Sequence, residues 1–150
     1  MAAELHLGVL MFIAYRYAEN RILDAVHRAG YVDLTVAQAR VAARIGPHGT
    51  RLTELAEQAQ VAKQTATASV DRLERAGYVE RVVDPSDARA RLVRLTARSQ
   101  DVLAVARAEE AAIEAEWTKH LGARRTRQLR EALTLLREVA DPYREPPDER

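Results

Sequence analysis

The sequence predicts a mainly α-helical fold that carries one small β-hairpin. Three observations predict it. Apolar residues recur at helical intervals through most of the 150 residues. The period changes to two only between Tyr78 and Leu95. Glycines stand where these stretches end, at Gly30, Gly77 and Gly122. A content of 47% hydrophobic and 30% charged residues suits one globular domain, or two small ones sharing helices, and excludes a disordered or collagen-like chain. A chain of this size buries roughly two thirds of its unfolded surface, so it needs no disulfide and no structural metal. The absence of cysteine excludes a thiolate zinc site, a thiol nucleophile and a cysteine redox switch, and a cytoplasmic location is expected.

Residues 5–29 read as a first helix, because Leu10, Ile13, Ala14, Tyr17, Ala18, Ile22, Ala25 and Val26 follow a helical period until Gly30. Leu7, Val9, Met11, Phe12 and Tyr15 occupy its other faces. A helix apolar nearly all round needs two covering neighbours, and in so short a chain the second is expected from another subunit. Its apolar stretch from Leu5 to Tyr15 is far shorter than the ~20 residues a membrane span requires. Thr35 and Gln38 form a capping-box pattern that starts a second helix, running to about Ile45. Gly46-Pro47-His48-Gly49 reads as a turn or loop. A third helix is expected from Thr53, as N-cap, to Gln58, and a fourth from Ala62 to Ala76 with Gly77 as its C-cap. Tyr78–Val83 and Leu92–Leu95 read as strands joined by the polar segment Asp84 to Arg91. From Thr96 the chain is helical again, with Val102, Ala106, Ile113 and Trp117 on one long helix. Leu129, Leu133, Leu136 and Ala140 mark a last helix, spaced like a seam for packing between helices of two subunits.

Two short helices joined by a tight turn and followed at once by a charged hairpin make a winged helix-turn-helix. Val61 is expected to plug the turn, and Ala66, Val70 and Leu73 to face inward. The remaining face of the fourth helix carries Lys63, Gln64, Thr65, Thr67, Asp71 and Arg72. Gln can pair bidentately with adenine, Lys with guanine, and the Thr methyl meets thymine, so these groups suit major-groove reading. A solvated helix face is the plainer alternative.

Charge favours the first of these. The net charge is only +1, but all the basic residues other than Lys63 and Lys119 are arginine, the side chain best suited to phosphate and groove contacts. Between residues 81 and 98 lie Arg81, Arg89, Arg91, Arg94 and Arg98 against only Asp84 and Asp87. Residues 99–150 are, by contrast, net acidic. Arg89 and Arg91 near the wing tip are therefore candidate DNA contacts, since an arginine there can enter the narrow minor groove. A salt bridge from Asp87 that holds Arg89 is the competing reading, a surface ion pair without a ligand.

The residues Thr53-Glu54-Leu55-Ala56, Lys63-Gln64-Thr65-Ala66-Thr67, the run from Val70 to Arg81, Asp84-Pro85-Ser86-Asp87-Ala88-Arg89 and Leu95-Thr96 resemble the MarR family of bacterial transcriptional regulators. The likeness is densest from Leu34 to Thr96. It implies a homodimer held by its first and last helices, with residues 1–32 and 97–140 as the helical dimerisation region. Residues 33–96 would then be the winged helix-turn-helix domain; the segment 141–150, with three prolines and alternating charge, reads as a flexible tail. It also implies recognition of an inverted repeat in double-stranded DNA, Arg89 as the minor-groove arginine and Asp87 as the wing's stabilising acid. Many members of the family release DNA on binding small aromatic or phenolic anions. Three positions depart from the pattern: Ala62 where a capping serine is common, Ala68 where a larger polar residue is common, and Ser99 where glycine is usual.

For such an effector, Met11, Tyr15, Arg16 and Tyr17 of the first helix, with Arg40 or Arg44 of the second, are candidate aromatic walls and anion partners. Core packing of the tyrosines and surface pairing of the arginines is the competing reading. His6, His27, His48 and His120 lie far apart, and Glu116 with His120 supplies two ligands where zinc needs three or four, so no metal and no cofactor is expected. No phosphate loop or nucleophile motif points to an enzyme. The expected function is thus a dimeric DNA-binding regulator, a repressor, without a membrane partner. The alternatives are a winged-helix protein-interaction module and a metal-responsive regulator.

Overall fold

The computed structural model describes residues 3–143. The element order is α1 (Leu7–Arg28), α2 (Val36–Ala42), β1 (Thr50–Arg51), α3 (Leu52–Gln58), α4 (Lys63–Arg75), β2 (Val79–Asp84), β3 (Asp87–Leu95), α5 (Ala97–Leu121) and α6 (Ala123–Ala140). The fold is mainly α with a small antiparallel sheet in the order β1-β3-β2. The chain divides into two compact units, one up to Glu110 and one from Ala111 onward. Among the described residues no helix is long and apolar enough to cross a membrane. The tail expected over 141–150 lies, from residue 144, outside the described residues.

In the first unit the core is built from Val26, Leu34, Val41, Ile45, Leu55, Val70, Leu73, Tyr78, Val79 and Val93. Each helix of the winged domain presents one apolar stripe to it, which fixes what faces outward. The capping box at Thr35 forms as the pattern requires: Gln38 N–H donates to the Thr35 hydroxyl at 3.3 Å, and Thr35 N–H to the Gln38 side chain at 3.1 Å. At the end of α4, Gly77 adopts φ +80°, with Tyr78 N–H on the Leu73 carbonyl at 2.9 Å and Gly77 N–H on Glu74 at 3.0 Å. That is a Schellman termination, and it turns the chain directly into β2.

The turn between α3 and α4 closes the same way, with Gln60 at φ +55°, Val61 N–H on the Ala56 carbonyl at 3.1 Å and Gln60 N–H on Glu57 at 3.1 Å. Gln60 tolerates this left-handed position because its own amide nitrogen donates to the Glu57 carbonyl at 2.6 Å. Val61 is half-buried beneath the turn.

Three expectations are corrected. Thr53 is not the N-cap of α3: the helix begins at Leu52 with Arg51 as N-cap and no side-chain cap. The reason is β1, a strand absent from the sequence reading, whose Thr50 and Arg51 pair with Val93 and Leu92 and so bring extended backbone up to Leu52. The hairpin is also longer than expected. β3 starts at Asp87 rather than Leu92, so only Pro85 and Ser86 separate the strands, with a register shift between Val83 and Asp84. In 87–91 the charged Asp87, Arg89 and Arg91 alternate only with the small Ala88 and Ala90, so no large apolar residue marks the start of the strand. Finally, α1 buries only Ala25 and Val26 within one chain; Leu10, Ile13 and Tyr17 of its expected inner face are exposed.

The second unit comprises the C-terminal part of α5 and α6. Ile113 is buried, whereas α6 buries no residue. Arg130 pairs with Glu114 at 2.8 Å.

Candidate nucleic-acid interface

Ala66, Ser69, Val70 and Leu73 anchor α4 in the core, and this leaves Lys63, Gln64 and Thr65 exposed in its first turn. Ala62, the N-cap, supplies no side-chain hydrogen bond, so the backbone N–H groups of that turn remain open beside Lys63. Thr67 is half-buried and spends its hydroxyl on the Lys63 carbonyl at 2.8 Å. Arg72 is exposed one turn further along. The acids of the same helix do not stand free. Arg81, on β2, holds Asp71 at 2.7 Å and Glu74 at 2.6 Å. These contacts raise the Arg81 pKa above its ordinary value, the hydrogen bond to Asp71 being the largest cause.

At the wing, Arg89 is exposed. Asp87 accepts its backbone N–H at 3.0 Å, so the acid fixes the chain at Arg89 and the competing side-chain salt bridge is replaced by this turn contact. Arg91 folds back on the Ala88 and Ala90 carbonyls at 3.3 and 3.2 Å. Arg94 pairs across the strands with Glu80 at 2.6 Å. Among the described residues, Lys63, Arg72 and Arg89 have no ion-pair partner; Arg75 and Arg91 have none either, but donate to backbone carbonyls of Asp71, Ala88 and Ala90.

The wing's main fastening was not legible in the sequence. Asp84 is buried and accepts from Arg51 at 2.6 and 2.8 Å on one oxygen and from the Ser86 amide and hydroxyl at 2.8 and 2.7 Å on the other. The Ser86 hydrogen bonds, then Arg51, hold its carboxyl down at about 2. The Asp-Pro-Ser sequence signals a turn, but its partner Arg51 lies 33 residues away, beyond any local pattern.

A cavity of about 370 Å³ lies within the first unit, walled by α1, α2, the end of α4, β3 and the start of α5. Of the six candidate effector residues it takes in Tyr15 and Arg40; Met11, Arg16, Tyr17 and Arg44 are not in its wall. Arg40 is already paired with Glu19, at 2.9 Å through both Nε and Nη2. Arg16 also reaches Glu19, at 3.2 Å. Tyr17 lies against Arg21, whose guanidinium sits 5.8 Å from its ring. Sequence reasoning missed Tyr78 and Ser99, which line the same cavity. Ser99, where glycine is usual, is buried and donates its hydroxyl to the Tyr78 carbonyl. The Tyr78 hydroxyl donates to Asp33 at 2.5 Å, and Arg98 stacks over the Tyr78 ring at 4.3 Å. Burial, then the Asp33 hydrogen bond, pushes the Tyr78 hydroxyl up to about 12. Among the described residues no three His, Asp or Glu side chains gather as a metal site would need.

The helix-turn-helix and its hairpin define the chain as a winged-helix protein. Residues 32–90 match the family model described as the MarR family. The structure is similar to wild-type MarR from E. coli in its apo form, with 25% identity, 89% of this chain and 98% of that chain covered, and a TM-score of 0.70. It is similar to the transcriptional regulator Tm0710 from Thermotoga maritima, with 26% identity, 87% and 90% coverage and a TM-score of 0.62. It shares its fold with a MarR transcriptional regulator from Methanosarcina mazei Go1 at 20% identity, 89% and 95% coverage and a TM-score of 0.73. No curated protein matches the sequence. The match to the MarR family covers the winged helix-turn-helix segment, 59 of the 150 residues.

Proposed function

We propose that this chain is a homodimeric, sequence-specific DNA-binding transcriptional repressor that acts in the cytoplasm and releases its operator when a small ligand fills the cavity. The observation that carries the DNA-binding reading is the open first turn of α4, with Lys63, Gln64 and Thr65 exposed, together with a wing whose Arg89 has no ionic partner among the described residues. An uncapped helix N-terminus next to free cations suits a phosphate backbone, and the amide and hydroxyl side chains suit base edges. Arg72 and Arg91 add backbone contacts, and Thr67 offers its methyl to thymine. The solved structures named above as regulators support the same reading.

Dimerisation is supported by two helices whose apolar residues one chain leaves uncovered. Leu7, Phe12 and Ile13 of α1 are 73%, 60% and 53% exposed, and Leu135 and Val139 of α6 are 65% and 84% exposed. Apolar surface on that scale favours burial against a second copy. Two recognition helices related by a two-fold engage half-sites about one helical turn apart, so the operator is an imperfect palindrome.

Release follows from the cavity wall. Tyr78 and Ser99 both face the cavity and are hydrogen-bonded to each other, and Tyr78 is the residue on which α4 turns into the wing. A ligand that shifts this wall shifts the end of α4, which lowers affinity only as far as it favours the non-binding arrangement. The test is selection of the purified protein against random duplex DNA at near-physiological salt. A two-fold-symmetric motif is expected. Binding that ignores sequence and vanishes with added salt would instead favour a winged helix whose partner is a protein.

A further inference from the structure

The cavity is walled mainly by apolar side chains, and its few polar ones are already engaged. Glu19 receives four donors on two oxygens: Arg40 twice at 2.9 Å, the Tyr15 hydroxyl at 2.7 Å and Arg16 at 3.2 Å. Two carboxylate oxygens offer about four acceptor sites, so its capacity is filled. The Tyr78 and Ser99 hydroxyls donate elsewhere in the protein. The remaining charged residue of the wall is Glu110, an exposed carboxylate. Arg40's hydrogen bond also draws the Glu19 pKa below its ordinary value, so Glu19 remains ionised at neutral pH.

An anionic ligand has one cation to approach here, Arg40, and that guanidinium faces Glu19. Binding would place two carboxylates on one guanidinium, or strip Glu19 of its two shortest ionic contacts, and like charges at that range oppose each other. An uncharged apolar molecule meets no such opposition, because it asks nothing of the engaged polar groups and gains from the apolar wall. A dry cavity of about 150 Å³ accommodates benzene, so this one has room for about two fused rings.

We propose that the cavity selects an uncharged apolar molecule of fused-ring size, and that Glu19 is the specificity-determining residue that turns away carboxylates and phenolates. This rests on the reading of the cavity as the regulating ligand's site. With Glu19 replaced by glutamine, Arg16 and Arg40 lose their counter-charge and the same cavity becomes receptive to an anion.

The experiment is calorimetric titration of the full chain with 1-methylnaphthalene and, separately, with 1-naphthoate, which carries a carboxylate in place of the methyl group. The neutral compound is expected to bind roughly tenfold tighter or better. In Glu19→Gln, 1-naphthoate gains about tenfold while the neutral compound changes little. Ala106→Phe, which fills the cavity from α5, removes binding of the neutral compound. Equal or tighter binding of 1-naphthoate to the unaltered chain overturns the ligand class and leaves the cavity's regulatory reading standing. Binding of neither compound, or binding that survives Ala106→Phe, overturns both.

Discussion

Arg51, the last residue of a two-residue strand, donates to the buried carboxylate of Asp84 at 2.6 Å and so ties the start of α3 to the turn of the wing. The other Asp84 oxygen holds Ser86, which makes the two-residue turn rigid. Because the folded carboxyl is held at about 2, below its ordinary value, this fastening is complete above about pH 4 and is lost as pH falls toward 2. The Asp84 carboxyl carbon followed by NMR is expected to titrate near 2, with the Ser86 amide exchanging faster over the same range. A midpoint near 4 would mean that the pair does not form in solution. In Asp84→Asn the Ser86 amide should already exchange fast at neutral pH.

Arg81 performs a different service for α4. It neutralises Asp71 and Glu74, which stand one turn apart on the proposed recognition helix. Arg81→Ala should lower the melting temperature only modestly, since such partly exposed pairs contribute roughly 0.5 kcal/mol. It should weaken duplex binding more, because two unpaired acids then oppose the phosphates. Adding Asp71→Asn to that variant is expected to recover part of the affinity, as measured by fluorescence anisotropy. Affinity unchanged in Arg81→Ala would show that these acids face away from the nucleic acid.

What could be read from the sequence follows from the range of the interactions. The capping box at Thr35, the inward Ala66, Val70 and Leu73, and the Gly77 termination are each set by interactions between residues no more than about five positions apart, and all form. β1 could not be read, because two residues carry no period and their pairing partners, Leu92 and Val93, are some forty positions away. The same holds for Arg51 with Asp84, and for Arg40 with Glu19, 21 positions apart. Arg40 was legible as a cation near the cavity, but not as one already neutralised. Ser99 was visible as a departure from the family pattern, while its bond to the Tyr78 carbonyl belongs to tertiary structure alone.

Gly49 shows how closely β1's loop lies on β3. Its φ is +91°, and a Cβ added there would stand 3.0 Å from the Leu92 Cβ and 3.2 Å from the Val93 carbonyl oxygen. Both the backbone conformation and the space therefore require glycine. Gly49→Ala is expected to cost about 1–3 kcal/mol in chemical denaturation. Gly30, also at positive φ but with nothing near its absent side chain, should cost less when replaced by alanine, so the difference between the two isolates the steric part. Equal losses would place the whole effect in the backbone angle.

The wing and the helix are expected to fail differently when altered, and that difference tests how recognition is divided. Arg89 has a fixed backbone, through Asp87, and a side chain without an ionic partner among the described residues. Its removal in Arg89→Ala should leave the melting temperature nearly unchanged. Duplex binding should weaken and its dependence on salt should flatten, by about one unit of slope if one phosphate-associated counterion is no longer released. Gln64, exposed in the first turn of α4, should act on sequence instead. Gln64→Ala is expected to relax preference at one operator position at a cost of ~1–3 kcal/mol, with the salt slope unchanged. Both are read from binding to the selected duplex and to single-base variants of it, across a salt series. If Gln64→Ala weakens every duplex equally, Gln64 contacts the backbone. If Arg89→Ala lowers the melting temperature without touching affinity, Arg89 serves the wing's own fold rather than the nucleic acid.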